Sequence, residues 1–281
     1  MTVIESIAAM QHAADSFRAN GQRIGFVPTM GALHQGHLDL IRKAAEVCDR
    51  VVVSIFVNPS QFGKNEDLNR YPRDLDRDMH LAASAGCDVL FTPSAEEMYP
   101  DGASTWVTVD GLGTVLEGSV RPTHFRGVTT VVMALFNIVK PHIAVFGQKD
   151  AQQAVIIRRM VRDLHVHTDV LVAPTRREAD GLAMSSRNTY LSELERSDAL
   201  AISRSLRIAE EMVRSGERRA QILRDAVEAE LTSSVALSID YVALVDADTL
   251  VPVEQLSDRP TLLAIAVRVG TTRLIDNTIL E

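Results

Sequence analysis

His34 and His37 lie three residues apart in GFVPTMGALHQGHLDLI (25 to 41), between a strand-like start and an amphipathic run. Gly31 and Gly36 remove side chains where a ligand would approach, and a helix beginning around His34 to Gly36 presents unpaired N–H groups and a partial positive charge. One turn apart, the two imidazoles point the same way. A helix dipole alone contributes about 0.3 to 1 kcal/mol. That is too little to bind a triphosphate, so the imidazoles would have to donate to phosphate oxygens directly. Two other uses compete. A metal pair needs more ligands, and H-E-x-x-H and H-x-x-E-H are both absent with no obvious third partner. Ordinary helix-end histidines are the plainer alternative.

Further candidates fall at strand ends. FGQKD (146 to 150) sits where a strand gives way to a helix, the ligand-facing edge of an open α/β sheet. From there Lys149 reaches a phosphate, or else it is a solvated lysine in a connection. GLAMSSRN (181 to 188) places Ser185, Ser186 and Arg187 in one short loop, with helix capping by either serine as the structural alternative. THFRG (123 to 127) supplies His124 and Arg126 beside a helix start, where a structural role is the stronger reading. Asn58 and Gln61 follow the buried strand 51 to 57 as neutral donors suited to a carboxylate or hydroxyl. Asp76 and Asp78 are candidate magnesium contacts, although acids in such a place are more often solvated. No G-x-G-x-x-G follows the first strand, whose glycines fall at 25, 31 and 36, and no G-x-x-x-x-G-K-[ST] occurs, so neither of those phosphate cradles serves.

The elements that must carry these residues follow from periodicity. Ile4, Ile7, Ala8, Ala14 and Phe17 predict a helix over 4 to 19, stopped at Asn20 and Gly21. RIGFVPTM is a strand, HLDLIRKAAEV a helix and RVVVSIFV a fully buried strand, which together make a βαβ unit. The alternation continues through LDRDMHLAASAG, CDVLFTP, HIAVFG, DAQQAVIIRRMVRDL and HTDVLVAPT, implying a mostly parallel sheet with right-handed crossovers. Residues 127 to 140 carry β-branched side chains that favour a strand, but their length and the closing Pro141 favour a helix. The polar, turn-rich segment 58 to 74 has the character of a loop that binds something or closes over a site. Beyond Thr175 the texture changes to two charged amphipathic helices followed by strands. The chain therefore divides into an α/β domain of residues 1 to 175 and a smaller α+β domain of residues 176 to 281.

Composition narrows the function classes. The 281 residues are 46% hydrophobic but only 5% aromatic, an aliphatic supply suited to α/β layers. A net charge of -8, with no run of five basic residues, argues against nucleic acid and for small-molecule partners. Two cysteines, Cys48 and Cys87, fit a reduced compartment. The first twenty residues lack a signal-peptide pattern and no stretch of 18 apolar residues occurs, so a soluble cytoplasmic protein without membrane contact is the expectation.

Taken together, PTMGALHQGH, VNPSQFG, HFRGV, FGQKDAQQ and PTRREADGLAMSSRN resemble the pantothenate synthetase (pantoate–β-alanine ligase) family, in family order over about residues 20 to 190. HQGH is similar to the HIGH-type signature of the adenylate-forming nucleotidyltransferase superfamily and MSSRN to its KMSKS-type loop. The resemblance implies a Rossmann-like, doubly wound sheet and an ATP-dependent ligase joining pantoate to β-alanine through a pantoyl adenylate, with Mg2+ and a homodimeric assembly. It implies that Pro28, Thr29, Met30, Gly31, Ala32, Leu33, His34, Gln35, Gly36 and His37 hold ATP, with His37 as proton donor. Gly147, Gln148, Lys149, Asp150, Arg176, Met184, Ser185, Ser186 and Arg187 would complete the nucleotide site. Gln61 and Gln153 would contact pantoate, with Asn58 and His124 as further substrate-binding candidates; the Mg2+ ligands stay unassigned. Arg176 departs from the family, which often has Val or Met after PT. A backbone contact to adenine would tolerate the change, whereas a side-chain contact would alter the packing. The rival from the same superfamily transfers a nucleotide to a phosphorylated small molecule and needs no amine.

Overall fold

The computed structural model describes residues 1–63, 66, 68–234 and 236–281. They form two compact units, one of residues 1–148 and 152–174, the other of residues 149–151 and 175–281.

The first unit is built on a six-stranded sheet in the order β1-β4-β3-β2-β5-β6. Its strands are β1 Thr2–Ile4, β2 Ile24–Thr29, β3 Arg50–Ile55, β4 Val89–Phe91, β5 Ile143–Gly147 and β6 Asp169–Ala173, every pairing parallel. Continuous apolar runs such as Val51, Val52 and Val53 form these strands because both faces of the sheet are covered. On one face lie α2 Gln35–Val47 and α3 Leu75–Ser84, whose Leu38, Ile41, Ala44 and Ala82 meet Val27, Val53 and Val145. On the other lie α1 Ile7–Ala19, α6 His124–Val139 and α7 Ala151–Asp163, which bring Met10, Val132, Phe136, Ile157 and Met160 against Phe26, Val52 and Phe146. Short turns α4 Ala95–Met98 and α5 Glu117–Val120 lie in the connection to α6. Adjacent strands β2 and β5 thus send their helices, α2 and α7, to opposite faces. The crevice outside their carboxyl ends is where an open α/β sheet binds its ligand.

Three sequence expectations meet a different outcome. The first helix does not begin at residue 4. Thr2, Val3 and Ile4 pair in parallel with Val89, Leu90 and Phe91, and Ser6 starts the helix by accepting the Ala9 N–H at 3.3 Å. The segment 58 to 74 is not a loop throughout, since it contains 3-10 turns at Pro59–Gln61 and Leu68–Arg70; Lys64, Asn65 and Asp67 lie outside the described residues. Asp78 is not solvated but 1% exposed. The β-branched run 127 to 140 is helical, as its length and Pro141 suggested. Thr129 relieves its own polarity by donating to the carbonyls of Phe125 (2.7 Å) and Val107 (2.6 Å), and Lys140 closes the helix at φ 49°.

The second unit carries α8 Glu193–Arg214, α9 Ala220–Thr232 and an antiparallel meander of β7 Leu237–Asp246, β8 Thr261–Val269 and β9 Thr272–Leu280. Ser192 and Glu195 form a reciprocal capping box at the start of α8. Leu206, Val213, Leu223 and Val227 pack on Val242, Leu263, Ile265 and Val267 as this unit's own core. Among the described residues, no helix is long and apolar enough to cross a membrane.

Candidate active site

The turn leaving β2 is fixed before any ligand arrives. The Thr29 hydroxyl donates to the Ser54 carbonyl at 2.7 Å and accepts the Gly31 N–H at 3.2 Å, which ties the end of β2 to its neighbour β3. Gly31 (φ 83°) and Ala32 (φ 51°) are both left-handed. Asp78 accepts the N–H groups of Ala32 at 2.8 Å and Leu33 at 2.7 Å. His34 is the N-cap of α2: its Nδ1 accepts the Gly36 N–H at 3.2 Å, while Nδ1 of His37 accepts the N–H of His34 at 3.3 Å. The rings lie 4.1 Å apart, on the same side of the helix as their spacing suggested. Capping and chemistry are therefore not alternatives here. With Nδ1 of each ring accepting a backbone N–H, the ring proton stands on Nε2, and two ring donors stand at the N-terminus of α2.

Beside this turn, Asn58, Gln61 and His124 form one buried network. Asn58 donates to Oε1 of Gln61 (3.0 Å) and to the Gly127 carbonyl (3.2 Å), and its Oδ1 accepts from Ser60 (2.8 Å) and Tyr99 (2.8 Å). Its amide donors are thus spent on the protein, and it acts as the organiser of the 59–61 turn. Gln61 keeps its Nε2 against the Met30 sulfur at 3.2 Å. Gly127 lets α6 meet this turn, since a Cβ there would lie 2.5 Å from the Ser60 carbonyl oxygen. Nη1 of Arg121, a donor only, faces Nε2 of His124 at 3.2 Å, so Nδ1 carries the ring proton and donates to the Gln61 carbonyl at 3.0 Å. Burial, helped by the Arg121 charge, pushes the His124 pKa down to about 4 and keeps the ring neutral. Arg121 also forms a bidentate pair with Glu66. Burial works to raise the Glu66 pKa, but the hydrogen bonds and charge of Arg121 outweigh it and the net shift is downward. His124 therefore supports the backbone of Gln61 through Nδ1, while its Nε2 accepts from Arg121.

Gly147 ends β5 and Gln148 follows it, while the half-buried Gln153 lies in the first turn of α7, where Gln152 is occupied with the carbonyls of Leu112 (2.9 Å) and Val115 (2.8 Å). In the second unit the Lys149 carbonyl accepts from Asn277 at 2.9 Å, and the lysine ammonium stands 3.9 Å from Asp150. Arg176 is exposed and its carbonyl accepts the Met184 N–H at 2.9 Å, which holds the segment before the serine loop through backbone atoms and leaves the arginine's side chain outside that contact. Ser185 caps the turn Ser186–Tyr190 by accepting the Arg187 N–H at 3.3 Å. Asn188 anchors the loop to Glu178 (2.6 Å) and to the Ala183 carbonyl (3.0 Å). Arg196 braces Glu178 and Asp180 from α8, and Arg177 forms a bidentate pair with the buried Asp276.

Sequence spacing missed Asp78 as a partner of the turn, and it missed Arg121, Glu66, Gly127 and Asn188. Only Gly127, inside HFRGV, left a visible mark, a glycine in the first turn of a helix. Asp78 acts on backbone atoms far along the chain, Arg121 and Glu66 pair across 55 residues, and Asn188 serves its own loop through Glu178 and the Ala183 carbonyl.

The family model described as pantoate-beta-alanine ligase matches residues 2–279. The chain is 55% identical over 281 residues to the pantothenate synthetase of Moorella thermoacetica, covering 100% of this chain and 99% of that one. Its identity to the pantothenate synthetase of Heliobacterium modesticaldum is 56%, with both covered in full. Among solved structures it is similar to pantothenate synthetase from Thermus thermophilus, with a TM-score of 0.94 at 46% identity over 99% of each chain. It is also similar to pantoate-beta-alanine ligase from Francisella tularensis complexed with beta-gamma ATP and beta-alanine, with a TM-score of 0.81 at 35% identity over 99% of this chain and 97% of that one.

Proposed function

This chain belongs to the pantoate-beta-alanine ligase family, a ligase that forms the carbon–nitrogen bond between pantoate and β-alanine with ATP as co-substrate, and we propose that it does so in two steps. A pantoate carboxylate oxygen attacks the α-phosphorus of ATP, the bond to the β-phosphate breaks, and pyrophosphate leaves. The amine of β-alanine then attacks the acyl carbon of the pantoyl adenylate, loses a proton and displaces AMP. The end-to-end match over residues 2–279 carries this reading.

Bringing an anionic carboxylate to an anionic triphosphate is mainly a problem of charge and position. The Nε2–H groups of His34 and His37 are assigned to phosphate oxygens, with His37 donating its hydrogen bond to the leaving group as charge moves there. Lys149 and Arg187 supply cationic charge, and Pro28 to Leu33, Gln35, Gly36, Gly147, Gln148, Asp150, Arg176, Met184, Ser185 and Ser186 form the rest of the nucleotide contacts. Gln61 and Gln153 take pantoate, with Asn58 and His124 holding Gln61 in place. Magnesium is proposed to arrive on the ATP phosphates. Among the described residues no group of three or more His, Cys, Asp or Glu could hold an ion, and both Asp78 oxygens already accept N–H groups. A homodimer in the cytoplasm completes the proposal.

The deciding experiment follows labelled pyrophosphate into ATP. Exchange requires pantoate and proceeds without β-alanine, and AMP accumulates only when the amine is added. Exchange that needs the amine would overturn the separate adenylate step, and no AMP from the complete mixture would overturn the activity.

A further inference from the structure

We propose that Asp78 is the positioning residue that sets the two phosphate-facing imidazoles, an inference that rests on the assignment of His34 and His37 to ATP. The carboxylate stands on α3, remote in sequence from the turn it holds. It reaches across to two consecutive N–H groups, those of Ala32 at 2.8 Å and Leu33 at 2.7 Å, one on each oxygen. It is not capping its own helix, because Asp74 does that by accepting the Arg77 N–H at 3.1 Å. Nor is it a solvated acid, being 1% exposed. Burial raises its pKa, and the hydrogen bonds from Leu33 and Ala32 work against that rise, as expected of a carboxyl kept in a desolvated place by the N–H groups it serves.

The turn is shaped around this carboxylate. Gly31 and Ala32 are left-handed in succession, and for Ala32 that conformation is unfavourable without an external partner. A Cβ on Gly31 would lie 3.0 Å from Oδ2 of Asp78, so the glycine leaves room for the acid as well as bending the chain. Without the carboxylate, the Ala32 and Leu33 N–H groups would lack their partner, with the Leu33 side chain fully buried beside them. The next residue is His34, whose N–H binds His37 and whose ring binds Gly36. A shift of the 31–33 backbone therefore moves both rings together. Catalytic groups displaced by about 1 Å lose on the order of a hundredfold in rate.

The Asp78→Asn variant keeps shape and size but can offer only one oxygen to two N–H donors. Pantoate-dependent pyrophosphate exchange is expected to lose about ten- to a hundredfold in kcat with the pantoate KM within about twofold. Hydrogen exchange should speed up at the Ala32 and Leu33 amides while those of β2 and β3 keep their protection. A variant with wild-type kcat, or with those two amides as protected as before, overturns the proposal. If the variant does not fold, the wild type decides alone: slow exchange at Ala32 and Leu33, outside any helix or strand, supports it, and fast exchange overturns it. Wild-type protein without pantoate-dependent exchange would instead sink the functional assignment, while the amide measurement still reports on the carboxylate.

Discussion

At the scale of single residues, His34 carries two duties that substitution can separate. Asparagine is among the strongest N-caps and replaces the acceptor that His34 offers to Gly36, but it has no imidazole. His34→Asn is expected to change stability by no more than about 0.5 kcal/mol while lowering adenylate formation by about a hundredfold, the usual loss for one transition-state donor. His34→Ala should lose activity similarly and cost about 1 kcal/mol of stability as well. Thermal unfolding alongside pyrophosphate exchange measures both, and an Asn variant with full activity would reduce His34 to a cap. His124 gives a pH prediction with a definite sign. Its folded pKa is depressed to about 4 by burial and by Arg121, against an unfolded value near 6.5. The unfolded chain thus binds a proton that the folded chain refuses, so stability falls as pH drops from about 6.5 toward 4 and flattens below. Denaturant titrations of wild type and His124→Gln across that window should show a shallower pH dependence in the variant. Parallel curves would mean that the ring is not held neutral.

Elements make their own demands, clearest where α6 touches the Asn58–Gln61 turn. Gly127→Ala would put a methyl 2.5 Å from the Ser60 carbonyl oxygen and 2.7 Å from the Gln61 Cα, both backbone atoms that cannot swing aside. Overpacking of this kind costs about 1 to 3 kcal/mol. The displaced turn should also raise the pantoate KM by about tenfold or more, since Gln61 moves with it. Steady-state kinetics beside a melting curve tests this, and an unchanged pantoate KM would remove Gln61 from the pantoate site. The same contact shows what the sequence could and could not say. Helix α6, the buried valines of β3 and the alternation of strands with helices were legible because periodicity and turn residues are local. Strand β1 was not, because three residues carry no period and only pairing with Val89 to Phe91 makes them a strand. The bond from Asp78 to the Ala32 and Leu33 amides was invisible for a related reason. Backbone N–H groups leave no trace in residue identity, and a buried carboxylate 46 positions away reads like any acid in a first helical turn.

At the scale of the whole molecule, the parallel order β1-β4-β3-β2-β5-β6 places the turn with His34 and the β5 end with Gly147 beside each other, since β2 and β5 are neighbours. Their helices leave to opposite faces, so the polar groups at these strand ends open to a ligand. The net charge of -8 makes the molecule as a whole repel anions, so an ATP site has to work through local donors. Two consequences can be measured together. A non-hydrolysable ATP analogue with magnesium, at about a hundred times its dissociation constant, should stabilise the folded protein by about 2.7 kcal/mol through mass action. For a chain of this size that raises the melting midpoint by about 5 to 10 °C. The same concentration of phosphate offered as tRNA should raise it by nothing, because a chain of net charge -8 whose sequence holds no run of five basic residues gains little by releasing counterions from a polyanion. A large shift with tRNA would show that the long-range field had been misjudged. A full shift with the analogue in a Lys149→Ala variant would show that this lysine does not hold the phosphates.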